Sequence, residues 1–123
     1  MRLLLDTHVL IWWDQGDRLS AEAIAAIRQA EQVYVSAVTG WEIAIKKSIG
    51  RLETTRLVAE AVSESGFEEL PVRLAHAAQV ESLPWHHRDP FDRMLVAQSR
   101  AEGLTLVTRD AALDAYDVKL LKA

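Results

Sequence analysis

The sequence predicts an α/β domain in which helices flank a central, mostly parallel sheet of about four to five strands. Short apolar runs bounded by charges or turn residues recur along the chain. Between them lie segments of about ten residues or more whose apolar positions return every three or four. Half of the 123 residues are apolar and 26% are charged, which suits one packed core and excludes a disordered or low-complexity chain. Strands that alternate with helices in this way join by right-handed crossovers into a parallel sheet. The expectation is a single domain over residues 1–123.

Leu3-Leu4-Leu5 reads as a strand buried on both faces, and Asp6 stands at its carboxyl end. Thr7 opens a short apolar helix to Asp14. After the break at Gly16 a second helix starts with Ser20 as N-cap and buries Ala23, Ile24, Ile27 and Ala30. Residues 32–36 form the second strand. Val38, Trp41, Ile45 and Ile49 then space a helix that Gly50 stops, with Glu42 inside it. Thr54 or Thr55 caps the next helix, which runs through Leu57, Val58, Ala61 and Val62 until Gly66, and a third strand follows near 67–70. Residues 74–82 are helical. Asp89 before Pro90 pairs an N-cap with proline at N1, opening a helix that carries Phe91, Leu95, Val96 and Ala101 to its stop at Gly103. Residues 104–107 are the fourth buried strand, and 118–121 supply a fifth.

Fourteen basic residues stand against 18 acidic ones, a formal charge of -4 with a pI near 5.5, so no global positive field collects nucleic acid and any polyanion must be met locally. The absence of cysteine excludes disulfides, thiolate zinc sites and cysteine nucleophiles and suits a reducing, cytoplasmic setting. The apolar stretch 3–13 is interrupted by Asp6 and His8 and is too short to cross a bilayer, so no membrane role is expected.

In open parallel sheets ligands gather beyond the carboxyl ends of the strands. Asp6 follows the first strand, Asp110 follows the fourth, Asp89 and Asp92 sit in the first turn of the helix between, and Glu42 lies inside the helix after the second strand. Carboxylates sharing a cleft persist only when protons or hard cations neutralise them, and an oxygen-only set suits Mg²⁺ or Mn²⁺. Each acid also has an ordinary role: Asp89 as cap, Asp92 at the helix dipole, Asp110 as a turn cap, and Glu42 as partner of Lys46. Asp6, a charge closing a buried apolar strand, is the one least explained that way. His86-His87 read as solvated surface, and Trp12, Trp13 and Trp41 as core or subunit contacts. Lys46-Lys47 with Arg51, and Arg88 with Arg93 and Arg109, are candidate basic rims.

Four blocks in order resemble the PIN-domain family, and in particular its VapC-like toxin branch: Leu3-Leu4-Leu5-Asp6-Thr7-His8-Val9-Leu10-Ile11-Trp12-Trp13, Ser36-Ala37-Val38-Thr39-Gly40-Trp41-Glu42-Ile43, Asp89-Pro90-Phe91-Asp92-Arg93-Met94-Leu95-Val96-Ala97-Gln98 and Leu104-Thr105-Leu106-Val107-Thr108-Arg109-Asp110. The resemblance implies a three-layer α/β/α fold and a metal-dependent endoribonuclease. Asp6, Glu42, Asp92 and Asp110 match its acidic catalytic and metal-binding positions, while Thr7 and Thr108 match small hydroxyl positions; these two and Arg93 are the candidate substrate-binding residues. It further implies RNA cleavage leaving a 5′-phosphate and a 3′-hydroxyl, restraint by an antitoxin protein, and a homodimer. Asp89 is not one of the matched acids and keeps its capping role. An aspartyl phosphatase using Asp6 as nucleophile would prefer a second Asp where His8 stands. A receiver-like phospho-acceptor domain would want a lysine where Arg109-Asp110 stands, and a purely binding scaffold would leave the four blocks without a purpose.

Overall fold

The computed structural model describes residues 1–123. All five strands are parallel: β1 (Arg2–Leu5), β2 (Gln32–Ser36), β3 (Glu68–Leu70), β4 (Thr105–Thr108) and β5 (Leu120–Lys122), in the order β3-β2-β1-β4-β5. Between them run α1 (Thr7–Gln15), α2 (Ala21–Gln29), α3 (Ala37–Ser48), α4 (Val58–Glu64), α5 (Leu74–Ser82) and α6 (Pro90–Glu102), with a short 3₁₀ helix at Ala111–Ala115. No helix is long and apolar enough to cross a membrane.

Period-two alternation divides the leucine run between two cores. Leu3 and Leu5 pack with Val107, Val9, Leu10, Ile27 and Ile43 on the α1, α2 and α3 side. Leu4 and Leu106 face Leu95, Val96, Leu113 and Tyr116 on the α6 side. The result is a three-layer α/β/α sandwich whose middle strands are apolar on both faces. Truncating a fully buried leucine such as Leu4 to alanine in such a core costs about 2–5 kcal/mol.

The chain builds β1, β2 and β3 outward on one side, then returns through α5 and α6 to place β4 against the other edge of β1. The strand order therefore reverses between β1 and β4, and a crevice opens beyond their carboxyl ends. Caps fix the elements that leave this edge. Ser36 Oγ accepts from Val38 N at 3.1 Å and donates to Gln98 Oε1 at 2.6 Å, tying the start of α3 to the buried face of α6. Asp89 Oδ1 accepts from Phe91 N at 2.8 Å and Asp92 N at 3.2 Å, the N-cap that the Asp-Pro pair implies.

Two boundaries differ from expectation. Neither Thr54 nor Thr55 caps α4, which starts at Val58 behind Leu57 with no side-chain cap; Thr54 Oγ1 instead accepts from Arg56 N at 3.1 Å, so the hydroxyl serves a local turn. The last strand sits later than expected, at Leu120–Lys122, because Val118 and Lys119 enter it from the turn after Tyr116.

Candidate active site

Asp6 closes β1 and caps α1. Its backbone N–H continues the ladder by donating to Val107 O at 3.0 Å, which puts the side chain in the crevice between β1 and β4. The residue is 5% exposed, with Oδ2 accepting from Thr108 Oγ1 at 2.6 Å and Oδ1 from His8 N at 3.3 Å. Burial still outweighs these donors and raises the Asp6 carboxyl above the usual range, with the Glu42 charge adding to the shift.

Glu42 lies on the face of α3 turned toward α1. Thr7 Oγ1 donates to Glu42 Oε1 at 2.7 Å and stands 3.2 Å from Thr39 Oγ1, and Lys46 Nζ lies 3.1 Å from Glu42 Oε2. The i,i+4 ion pair and the cleft-facing carboxylate are thus one residue's two oxygens. Thr39, fully buried, completes this hydroxyl group; its i,i+3 spacing from Glu42 on one helix face is the signal that could have singled it out.

Asp92, in the first turn of α6, receives no hydrogen-bond donor from the backbone or a hydroxyl. Burial pushes its carboxyl up to about 7, reinforced by the charges of Asp6, Asp89 and Glu42 and opposed by the nearby His87 imidazole. Asp110 follows β4 and caps the 3₁₀ helix through Ala112 N at 2.9 Å. Its slight burial would raise its carboxyl, but the Ala112 N–H, the His87 ring and the Lys122 charge outweigh that and hold it below the usual range.

His87 is a site residue that sequence reasoning left on the surface. Its Nε2 lies 3.0 Å from Asp110 Oδ2 and 3.1 Å from Asp92 Oδ2. Adjacent histidines next to Trp85 gave no pattern to separate the inward ring from the outward one, since the loop's path depends on Tyr116, 29 residues on.

The structure places Arg93 away from the cleft rim. The residue is 3% exposed, and its guanidinium donates to Pro84 O, Val80 O, Leu83 O and Tyr116 Oη while stacking 3.9 Å from the Trp85 ring. Although Asp92 beside it faces the cleft, the Arg93 side chain is turned the other way, so its donors fasten the loop before α6 rather than reaching a substrate. Arg109 is likewise engaged, donating to Arg18 O and Ala123 O and lying 4.4 Å from the Trp12 ring. Trp12 and Trp13 are half-buried, Trp13 donating to Ser65 Oγ and packing on Phe67; Trp41 is exposed and meets Phe91 edge-on.

The PIN domain profile matches residues 3–119. The chain belongs to the PIN domain family. Ribonuclease VapC22 of Mycobacterium tuberculosis (strain ATCC 25618 / H37Rv) is 33% identical over 122 residues, covering 93% of this chain and 91% of that protein. Solved structures share the PIN architecture at lower identity. One is VapBC2 from Rickettsia felis bound to a DNA fragment from their promoter, with TM-score 0.70, 12% identity, and 99% of this chain against 98% of that one. Another is a toxin–antitoxin complex from Klebsiella pneumoniae, with TM-score 0.70, 20% identity and coverage of 97% and 95%. At these identities the structural matches speak for the PIN fold, and the fold brings Asp6, Glu42, Asp92 and Asp110 to one edge of the sheet.

The donor set of this PIN-domain cleft fits a hard divalent cation. It consists of carboxylates and threonine hydroxyls with the single imidazole of His87 beside Asp92 and Asp110, it holds one carboxyl at about 7 through burial and mutual repulsion, and the lysine beside it engages only Glu42.

Proposed function

We propose that this chain is an endoribonuclease dependent on Mg²⁺ or Mn²⁺ and the cytoplasmic toxin of a toxin–antitoxin pair, in which Asp6, Glu42, Asp92 and Asp110 hold the cation. The observation that carries the reading is the convergence of these carboxylates at the β1–β4 crevice in a chain 33% identical to Ribonuclease VapC22 along nearly its whole length. A bound divalent cation supplies the positive charge that admits an anionic phosphodiester to an acidic cleft, and the Lewis acidity that favours attack by water.

The chain's own residues do the rest. Thr108 and the His8 backbone N–H hold the Asp6 carboxylate in one orientation, and Thr7 does the same for Glu42. Lys46, at the mouth of the cleft beside Glu42, is placed to meet the backbone phosphates of RNA. Proteins with the same architecture have been solved as toxin–antitoxin complexes, which supports a protein inhibitor as the restraining partner. The exposed Trp41 on Phe91 supports self-association. No observation favours the aspartyl phosphatase or receiver readings, since His8 and Arg109 stand where those chemistries want Asp and Lys.

The test incubates the purified protein with a pool of structured RNAs, with and without Mg²⁺, and maps the cut ends. Metal-dependent cuts leaving a 5′-phosphate and a 3′-hydroxyl, and their loss in Asp6→Asn, are expected; metal-independent cutting or no cutting would overturn the reading.

A further inference from the structure

The His87 ring meets the carboxylates with its hydrogen bonding fixed from behind. Nδ1 accepts the backbone N–H of Asp89 at 3.1 Å, so that nitrogen's lone pair is used and the network assigns the ring proton to Nε2. Nε2 in turn donates to Asp110 Oδ2 at 3.0 Å and lies 3.1 Å from Asp92 Oδ2. The main chain of the residue is held as well: His87 N donates to Tyr116 Oη at 3.1 Å, and the same oxygen accepts from the buried Arg93 Nη1 at 3.1 Å.

By distance alone His87, Asp92 and Asp110 make a three-ligand metal site, with donor atoms all within 4.8 Å of one another. The tautomer argues otherwise, because a ring nitrogen that carries a proton has no lone pair for a cation. Moving the proton to Nδ1 would set it against the Asp89 N–H and leave that donor without a partner.

We propose that His87 is a positioning residue and not a ligand: an Nε2–H donor that clamps Oδ2 of Asp110 beside Oδ2 of Asp92 and so sets how these two carboxylates face a cation. The proposal rests on the cation-dependent reading above. Asp110 needs such a clamp because it stands on a short 3₁₀ turn, its side chain is 38% exposed, and its other hydrogen bond, from Ala112 N, fixes only Oδ1. Asp92 needs it because its carboxylate accepts no hydrogen bond, the Nε2 of His87 lies 3.1 Å from its Oδ2, and the charges of Asp6 and Glu42 push against it.

The experiment titrates Mn²⁺ alone, without RNA, into wild-type protein, His87→Ala and His87→Gln, with circular dichroism to confirm folding. The glutamine amide offers an N–H donor near the place of Nε2; alanine offers none. The expected Kd for Mn²⁺ is about 10- to 100-fold weaker in His87→Ala and within about threefold of wild type in His87→Gln. The electron spin-echo envelope of the Mn²⁺-loaded wild type should carry no imidazole nitrogen coupling. Such a coupling would make His87 a ligand and overturn the proposal. Equal affinity in His87→Ala and wild type, or a glutamine variant as weak as the alanine one, would overturn it too. If His87→Ala does not fold, the wild-type spectrum and the glutamine titration decide between clamp and ligand. A wild-type protein that binds no Mn²⁺ would overturn the cation-dependent reading itself, and the clamp with it, which separates the two failures.

Discussion

Thr108 Oγ1 donates to Asp6 Oδ2 at 2.6 Å, a bond between the ends of two neighbouring strands whose residues lie 102 positions apart. Among the interactions of Asp6 it is the largest that favours the charged form, and it works against a burial that favours the neutral one. Thr108→Val keeps the shape and deletes the donor. The expected loss is about 1–3 kcal/mol of stability near neutral pH, shrinking in acid where Asp6 takes up a proton. Cleavage of RNA should fall about tenfold or more through the misplaced carboxylate, with Thr108→Ser close to wild type. Urea denaturation and single-turnover cleavage measure the two effects.

The Asp92 carboxyl, pushed up to about 7 from the ordinary 3.8, gives metal-free stability a definite slope. Between those values the folded chain holds a proton that the unfolded chain has released. This contribution is therefore fully present below the unfolded value and is lost as pH rises through the folded one. Metal-free protein should lose on the order of 2 kcal/mol across this window after solvent screening. Asp92→Asn should flatten the fall and leave the chain more stable at neutral pH while abolishing cleavage, and saturating Mg²⁺ should restore stability to the wild type only. Thermal melts across the pH range, with and without Mg²⁺, check this.

Arg93→Lys tests whether this cation holds the loop or the substrate. A lysine cannot replace the fork that reaches Pro84 O, Val80 O, Leu83 O and Tyr116 Oη. The expected cost is about 2–4 kcal/mol, because buried carbonyls lose their donors. The salt dependence of RNA binding by the folded variant should not change, whereas a side chain that neutralised a phosphate would take part of the slope away with it. Denaturation curves and binding titrations at several salt concentrations distinguish the two roles.

Asp89→Ala removes the N-cap of α6 without touching the backbone N–H that holds His87. A loss of about 1 kcal/mol is expected, with most of it recovered in Asp89→Ser and RNA cleavage kept within severalfold of wild type. Cleavage abolished in both variants, measured on folded protein, would instead place Asp89 among the residues that act on the cation.

The sheet was legible in the sequence because its signals are local. Leu3-Leu4-Leu5 reads as a strand with two apolar faces, and Asp-Pro at 89 and 90 fixes its own cap. The convergence of Asp6 and Asp110 on one edge followed from their places after parallel strands, and Glu42 and Asp92 join them from helices that start at that edge. What local pattern could not supply was the direction of side chains fixed by distant partners. Arg93 sits beside Asp92, and only the carbonyls of residues 80, 83 and 84 reveal that it points inward. His87 turns toward the carboxylates because Tyr116 and the Asp89 N–H take hold of it, and neither constraint has a spacing that marks it in advance.

The register of β1 against β4, Leu3 opposite Thr105 and Leu5 opposite Val107, joins segments 102 residues apart in the chain. Asp6 is translated first among the four acids and Asp110 last, yet β1 needs β4 as its neighbour before Thr108 can reach Asp6. Contacts of such long sequence separation close late, because a long loop must be ordered before they form. A ribosome-bound chain that stops short of residue 105 has β1 and β2 available to pair but carries an incomplete set of carboxylates and an open flank. The last of the four acids and the threonine that orients the first of them thus arrive together, carried by one strand and the turn after it.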